Sequence, residues 1–252
     1  MDSLALDHET LAAQLTEPAQ AAPLTGWHAR RALGFGASDV PALLLALGIA
    51  SPAGTPDYIT EKAKPTNRTR GVARLFAEKA GIVAPKKTSA AAEKGTKRER
   101  ELLTQWQARI ARQQWYCDAE ELVIASRVQH ADTLLKCAWP LVDRHAPMLT
   151  ATLDAWAWDS LGGELVVELK CSASERRDIP WHWRAQVMAQ LAVTGADYGL
   201  LVCGEFWAAW HGNDGPIRCW EVQRNEDEIA VIRDAARRGW EIVNDLKEEN
   251  RP

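Results

Sequence analysis

Hydrophobic and polar positions alternate along this chain in patterns that predict helices around a sheet. Strand-like runs occur at residues 121–125, 148–158, 164–171, 198–210 and 217–222. Helical spacing, with flanking turn residues, occurs at about residues 40–47, 70–79, 97–112, 180–194 and 226–248. Because helices both precede and separate the strands, we predict an α/β or α+β fold, with a central mixed β-sheet flanked by helices.

The helix at 40–47 has the clearest boundary signals. Ser38 and Asp39 stand where a helix N-cap is expected, and Pro41 follows in the first turn. Gly48 ends the helical pattern, as glycine commonly does. We therefore expect a helix N-terminus at or beside Ser38.

The distribution of residue types predicts one domain with an N-terminal arm. Residues 1–23 are rich in Ala and Gln, so we expect a flexible arm there and a single domain over residues 24–252. All of the 12 tryptophans but Trp27 lie between Trp106 and Trp240, which favours a core in the C-terminal two thirds. No apolar run approaches the roughly 20 residues that span a bilayer. The N-terminus does not resemble a secretory signal, so we expect a cytoplasmic protein.

Charge and metal-binding patterns argue against several function classes. The net charge of −4 disfavours a protein that coats nucleic acid by bulk charge. Basic residues do concentrate between Lys86 and Arg100, and this stretch is either a DNA-contacting groove or a solvated helix face. The five cysteines form no CxxC pair and the six histidines no HExxH motif, so we expect free thiols and no zinc or iron–sulfur site.

The run from Glu164 to Cys171 carries the residues of greatest chemical interest. Its even positions are Glu, Val, Glu and Lys, and its odd positions are Leu, Val, Leu and Cys. Successive side chains of a strand point to opposite faces, so Glu168 and Lys170 share one face. The sequence therefore predicts a carboxylate and an ammonium group side by side.

A predicted hairpin brings a second carboxylate to this face. Residues 159–163 have turn composition, and a hairpin centred on Leu161 places Asp154 opposite Glu168. Such side chains share a face with Cβ atoms about 5 Å apart, and like charges there are destabilising. Mg²⁺ prefers oxygen ligands and would neutralise the two carboxylates. With Lys170 beside them, the group suits phosphodiester hydrolysis; a surface hairpin of the same composition is the alternative.

A third carboxylate lies on the helix predicted at 97–112. Glu99 falls on the apolar stripe that contains Leu102 and Trp106, whereas Glu101 is about 200° away around the helix. An inward-facing carboxylate needs a partner, because an unpaired buried charge is costly. We predict that Glu99 joins the site and that Glu101 faces solvent; a frayed first turn with Glu99 in solvent is the alternative.

Two glutamines on the helix at 180–194 are further candidates. Gln186 and Gln190 are four residues apart and so share a helix face. The amide of Gln186 can bind a water, a phosphate or the lysine of the site. The alternative is two ordinary glutamines at the edge of the core.

Together these segments resemble the YqaJ-type viral recombinases, the lambda exonuclease family, whose nuclease core is restriction-endonuclease-like. The resemblance extends over residues 24–210. The matching motifs, in the order of the family, are Trp27 to Arg31, Gly36 to Asp39, Gly95 to Glu99, Thr152 to Asp154, Glu168 to Lys170 and Ala185 to Gly195.

The resemblance implies a Mg²⁺-dependent 5′→3′ exonuclease that degrades one strand of linear duplex DNA to 5′-mononucleotides. Two metal ions are expected, with Mn²⁺ as a substitute for Mg²⁺. The catalytic residues it implies are Asp154, Glu168, Lys170, Glu99 and Gln186. The metal ligands it implies are Asp154, Glu168, Glu99 and the backbone carbonyl of Leu169.

The resemblance also implies how DNA is held. Arg31 and Ser38 match the residues that receive the 5′-phosphate, and Thr152, where serine is common in the family, is grouped with them as DNA-binding. Members of the family form ring-shaped homotrimers threaded by DNA ends. They work with a single-strand annealing protein in phage-type recombination.

Two other functions stay open on the sequence. One is a structure-specific DNA endonuclease, such as a junction resolvase, built on the same fold. The other is a non-catalytic protein that binds DNA ends, which the presence of Asp154, Glu168 and Lys170 together disfavours. An exonuclease needs a DNA end and an endonuclease does not, so the topology of the substrate distinguishes the first two.

Overall fold

The computed structural model describes residues 33–49, 75–82, 97–99, 101–108, 140–158, 163–172, 177–205 and 217–249. Several predicted features lie outside these ranges: the arm at 1–23, the strand at 121–125, the turn residues 159–162 and Arg31.

Five α-helical segments occur among the described residues, one for each predicted helix. They are α1 (Val40–Ala46), α2 (75–80), α3 (97–99 and 101–108), α4 (Trp181–Thr194) and α5 (Glu226–Glu249). α4 ends where Gly195 adopts a left-handed conformation with a φ of 82°. Among these segments, none is both long and apolar enough to cross a membrane.

The start of α1 is built differently from a simple capped helix. A 3₁₀ turn, Ala37–Asp39, comes first, so Asp39 takes the N-cap position and Ser38 lies beside it, as predicted. The Asp39 side chain, however, makes no capping hydrogen bond to α1. Its Oδ2 instead accepts a hydrogen bond from the Gly36 N–H at 3.0 Å and pairs with the Lys79 Nζ of α2 at 3.0 Å.

The strands form two sheets. They are β1 (Phe35–Gly36), β2 (Leu141–Val142), β3 (Leu149–Ala151), β4 (Ala155–Trp158), β5 (Glu164–Ser172), β6 (Tyr198–Glu205) and β7 (Ile217–Gln223). One sheet has the order β1-β3-β2 and the other β4-β5-β6-β7. In the larger sheet β5 and β6 are parallel and the other pairs antiparallel, which confirms the mixed sheet. The strand predicted at 148–158 is two strands in different sheets, because the chain leaves the extended conformation at residues 152–154.

Both faces of the larger sheet are covered. Val166 lies on the face that packs against α4, where Gly199 permits a close approach: a Cβ at Gly199 would be 2.4 Å from Cγ1 of Val187. Val167 lies on the other face, which packs against Trp106 of α3. The crossover from β5 through α4 to β6 thus places one face of α4 directly over β5.

A buried ion pair ties α5 to the rest of the fold. Asp143 is fully buried, and its Oδ2 accepts a hydrogen bond from Nη2 of Arg233 at 2.8 Å. The same guanidinium nitrogen donates to the carbonyl of Ala192, near the end of α4, at 3.0 Å. Oδ1 of Asp143 accepts the N–H groups of His145 and Ala146 at 2.8 and 2.6 Å. Every lone-pair direction of this buried carboxylate therefore has a donor nearby.

Candidate active site

Glu168 and Lys170 lie on the face of β5 that packs against α4, as the alternation predicts. Glu168 is 3% exposed and Lys170 18% exposed. Nζ of Lys170 donates a hydrogen bond to Oε1 of Glu168. The strand thus holds a buried carboxylate and an ammonium group in direct contact.

Asp154 comes beside Glu168 through a hydrogen bond to the backbone of β5. β4 and β5 pair in the predicted register, with Trp156 opposite Val166. This pairing ends at Ala155. Asp154 follows at the bend, and its Oδ2 accepts the N–H of Leu169 at 2.9 Å. The peptide group that joins Glu168 to Leu169 therefore lies within the candidate site.

Both glutamines of α4 contact Glu168. Nε2 of Gln186 donates to Oε1 of Glu168 at 2.5 Å, and Nε2 of Gln190 donates to Oε2 at 2.5 Å. The sequence named both glutamines as candidates, with two ordinary glutamines at the edge of the core as the alternative, and only Gln186 also matches a residue of the family's site. The spacing of four residues was the signal for Gln190, because it puts the two amides on one face of the helix.

Glu99 of α3 interacts electrostatically with the same group. Glu99 is half-buried and Glu101 is exposed, so the predicted orientation of α3 is confirmed. Burial raises the pKa of Glu99; Lys170 opposes this rise and Glu168 adds to it. These interactions place Glu99 within electrostatic reach of the candidate site, which we define as Glu99, Asp154, Glu168, Lys170, Gln186 and Gln190.

The electrostatics of the candidate site favour a positive charge among its carboxylates. Burial, and next the charge of Glu168, raise the pKa of Asp154 to about 7. Burial alone would lower the pKa of Lys170, but Glu168, Asp154 and Glu99 outweigh it and the pKa is raised. Lys170 therefore stays protonated, and its single charge does not hold Asp154 ionised at acidic pH.

These side chains fit a divalent cation. Among the described residues, no group of three or more His, Cys, Asp or Glu side chains is arranged to hold a metal. Mg²⁺ is commonly held by only one or two carboxylates, with waters and substrate phosphates as the other ligands. Asp154 and Glu168 supply two such carboxylates, and the raised pKa of Asp154 marks a place where a cation would replace a proton.

A cavity of about 80 Å³ opens beside Gln186. It is lined by Gly36, Ala37, Ser38, Pro140, Thr150, Thr152 and Gln186. The structure thus brings together Ser38 and Thr152, which lie 114 residues apart in the chain (152 − 38), next to a residue that contacts Glu168. Arg31, the third residue predicted to bind DNA, lies outside the described residues.

Cys171 follows Lys170 on β5 and is the described cysteine nearest in sequence to the candidate site. Cys171, Cys203 and Cys219 form no disulfide bond within the described part of the chain, as predicted. Burial, and next the charge of Glu99, raise the pKa of Cys171 to about 12. A thiol that remains protonated is a poor nucleophile, so we assign no catalytic role to Cys171.

Comparisons with known proteins agree with this fold. No protein-family model matches the sequence, and no curated protein matches it either. Among solved structures, an alkaline exonuclease (LHK-Exo) from Laribacter hongkongensis is 14% identical with a TM-score of 0.56, over 89% of this chain and 95% of that one. Its complex with dAMP is 14% identical with a TM-score of 0.57, over 89% and 94%. A phage-related exonuclease from Haemophilus somnus 129PT is 12% identical with a TM-score of 0.54, over 86% and 96%.

At such low identity the likeness concerns the fold. It extends over nearly the whole length of each exonuclease and over most of this chain. The fold that the motif resemblance implied is therefore confirmed: the chain has the α/β fold of alkaline and phage-related exonucleases.

Proposed function

We propose that this chain is a metal-dependent exonuclease that digests one strand of linear double-stranded DNA in the 5′→3′ direction. The observation that carries the proposal is the meeting of Asp154, Glu168 and Lys170 at one place on β5. A buried carboxylate pair beside a lysine suits the hydrolysis of a phosphodiester, whose transition state gathers negative charge. The shared fold of the exonucleases supports the same assignment.

Each residue of the proposed site has a distinct task. Asp154 and Glu168 would hold Mg²⁺, with Glu99 and the Leu169 carbonyl as further ligands. Bound there, Mg²⁺ would make water more acidic and neutralise charge on the phosphate. Lys170 orients the attacking water or stabilises the charge that develops on the phosphate, and Gln186, which contacts Glu168, assists.

The reaction breaks the bond between phosphorus and the 3′-oxygen of the terminal nucleotide. Water adds to phosphorus, and the 3′-oxygen leaves with a proton. The products are a 5′-mononucleotide and a strand with a new 5′-phosphate. A solved structure of the Laribacter exonuclease in complex with dAMP, a nucleoside monophosphate, supports a product of this class.

The cavity beside Gln186 is proposed to receive the terminal 5′-phosphate. Ser38 and Thr152 carry hydroxyl groups that can donate to phosphate oxygens. Arg31 would add a guanidinium fork, whose geometry suits two phosphate oxygens at once. A phosphate held in this cavity, beside Gln186, would determine which phosphodiester reaches the candidate site, and so the direction of digestion.

The remaining proposals concern the oligomeric state, the number of metal ions, the partner protein and the location in the cell. We propose a homotrimeric ring around DNA, two metal ions, a single-strand annealing protein as partner in phage-type recombination, and action in the cytoplasm. These rest on the family resemblance of the motifs. Sedimentation of the purified chain, with and without duplex DNA, tests the trimer.

Substrate topology tests the proposed activity against its alternatives. Purified protein is incubated with linear, nicked circular and covalently closed circular duplex DNA, each with Mg²⁺ and with EDTA. The proposal expects Mg²⁺-dependent loss of the linear form, with closed circles intact. Cleavage of closed circles would favour the endonuclease, and binding to linear DNA without any cleavage would favour the end-binding protein.

A further inference from the structure

Gln190 is the most deeply buried partner of Glu168. Its side chain is fully buried, and its Nε2 donates to Oε2 of Glu168 at 2.5 Å. Gln186, one turn closer to the N-terminus of α4, is only partly buried and donates to Oε1. The two amides therefore bind opposite oxygens of one carboxylate, one from the interior of the fold and one nearer the surface.

The amide of Gln190 is only half satisfied, and its donor to Glu168 is the half that is used. Oε1 of Gln190 is buried and has no hydrogen-bond partner among the described residues. An unpaired buried acceptor is unfavourable, and an apolar side chain of similar size would avoid it. What the amide supplies and an apolar side chain cannot is the donor to Glu168.

The hydrogen bonds around Glu168 leave a defined place for a cation. A carboxylate oxygen has two lone pairs. Oε1 accepts hydrogen bonds from Lys170 and Gln186, whereas Oε2 accepts one, from Gln190, within the described part of the chain. Oε2 therefore keeps one acceptor direction, and Gln190 fixes how that direction points.

We propose that Gln190 is a positioning residue, which holds the Glu168 carboxylate so that its Oε2 can bind a divalent metal. This inference rests on the proposed function, because it assigns Gln190 to the same metal site. Gln190 acts through Glu168 and does not itself contact DNA or the metal. Partners of this kind commonly change metal affinity by about 10–100-fold when they are removed.

The test compares Gln190→Met with wild type and with Met188→Val. Methionine keeps the length of the side chain and removes the donor. Met188 is also fully buried on α4, so Met188→Val disturbs the packing of the same helix without removing a hydrogen bond to Glu168. Mn²⁺ binding is measured by titration calorimetry without DNA, and Tm is measured for each protein.

We expect Gln190→Met to raise the Kd for Mn²⁺ by about tenfold or more, and Met188→Val to leave it unchanged. The Mn²⁺ concentration for half-maximal digestion of linear duplex should rise by the same factor in Gln190→Met, with kcat at saturating Mn²⁺ much less affected. Gln190→Leu provides the same comparison should Gln190→Met fail to fold.

If Gln190 has only a structural role, Gln190→Met will have a lower Tm than wild type and the same Kd for Mn²⁺. That result would overturn this inference and leave the proposed function standing. A wild-type protein that neither binds Mn²⁺ nor digests DNA would overturn the proposed function and this inference together.

Discussion

The carboxylate of Asp154 is joined to β5 by the N–H of Leu169, which lies 2.9 Å from its Oδ2. The regular pairing of β4 with β5 has already ended at Ala155, so this hydrogen bond continues the hairpin geometry by one residue. It holds Asp154 beside Glu168 although both carboxylates are largely removed from water. A proton or a cation must then offset the repulsion between them.

The first prediction concerns the stability of the metal-free protein. The pKa of Asp154 is raised to about 7, so its ionisation opposes folding. This penalty is absent below the ordinary aspartate pKa of about 4, grows with pH, and is complete above about 7. Asp154→Asn removes it. In EDTA we therefore expect the variant to have a higher Tm than wild type at about pH 8, and an advantage that shrinks towards about pH 4.

Added Mg²⁺ provides the control for this prediction. The ion should raise the Tm of wild type at alkaline pH, because it neutralises the ionised carboxylate of Asp154. It should have little effect on Asp154→Asn. A Tm difference between the two proteins that does not change with pH would contradict the assigned titration.

The second prediction separates two neighbouring glutamates of α3. Glu99 is half-buried near Glu168 and Lys170, whereas Glu101 is exposed. Glu99→Gln should reduce Mg²⁺-dependent digestion by about tenfold or more, and Glu101→Gln should leave it almost unchanged. Initial rates on linear duplex measure both. Equal losses would show that α3 presents a different face to the candidate site.

The third prediction concerns the end of the DNA strand. Wild type should digest duplex with a 5′-phosphate faster than the same duplex with a 5′-hydroxyl. Arg31→Ala and Ser38→Ala should each shrink this preference, because both residues are proposed to bind the phosphate. Lys97→Ala, which changes an exposed cation of α3, serves as a control for general loss of charge. If Arg31→Ala and Ser38→Ala keep the whole preference, the phosphate is bound elsewhere.

The fourth prediction concerns the ion pair that holds α5. Asp143 is fully buried, and removing it leaves Arg233 without its carboxylate. Asp143→Ala should lower the free energy of unfolding by about 3–5 kcal/mol, as is usual when one partner of a buried pair is lost. Asp234→Ala, at a position that is 52% exposed, should change it by less than about 0.5 kcal/mol. Urea denaturation measures both, and similar values for the two variants would contradict the structural role of Asp143.

The elements of the candidate site that depend on local periodicity were predictable from the sequence. The alternation of residues 164–171 determined that Glu168 and Lys170 share a face, and the turn composition before them determined the register in which Trp156 pairs with Val166. These features depend on residues close together in the chain, so local pattern is sufficient to find them.

Contacts between segments that are far apart in the chain were not predictable from the sequence. The contact of Gln190 with Glu168 exists because α4 lies over β5, and neither segment alone specifies that approach. The pairing of Asp39 with Lys79 likewise joins α1 and α2, which are separated by residues 47–74. Sequence composition makes Asp39 a helix cap, and tertiary structure directs its side chain elsewhere.

Digestion of end-labelled linear duplex by wild type and Lys170→Ala tests the central claim most directly. The two proteins are compared with Mg²⁺ present, together with Glu168→Ala and with Glu164→Gln as a control on the same strand. We expect wild type and Glu164→Gln to release labelled mononucleotide, and Lys170→Ala and Glu168→Ala to be slower by about a hundredfold or more while keeping a folded circular-dichroism spectrum. A folded Lys170→Ala that digests the duplex at the wild-type rate would contradict the assignment of this site.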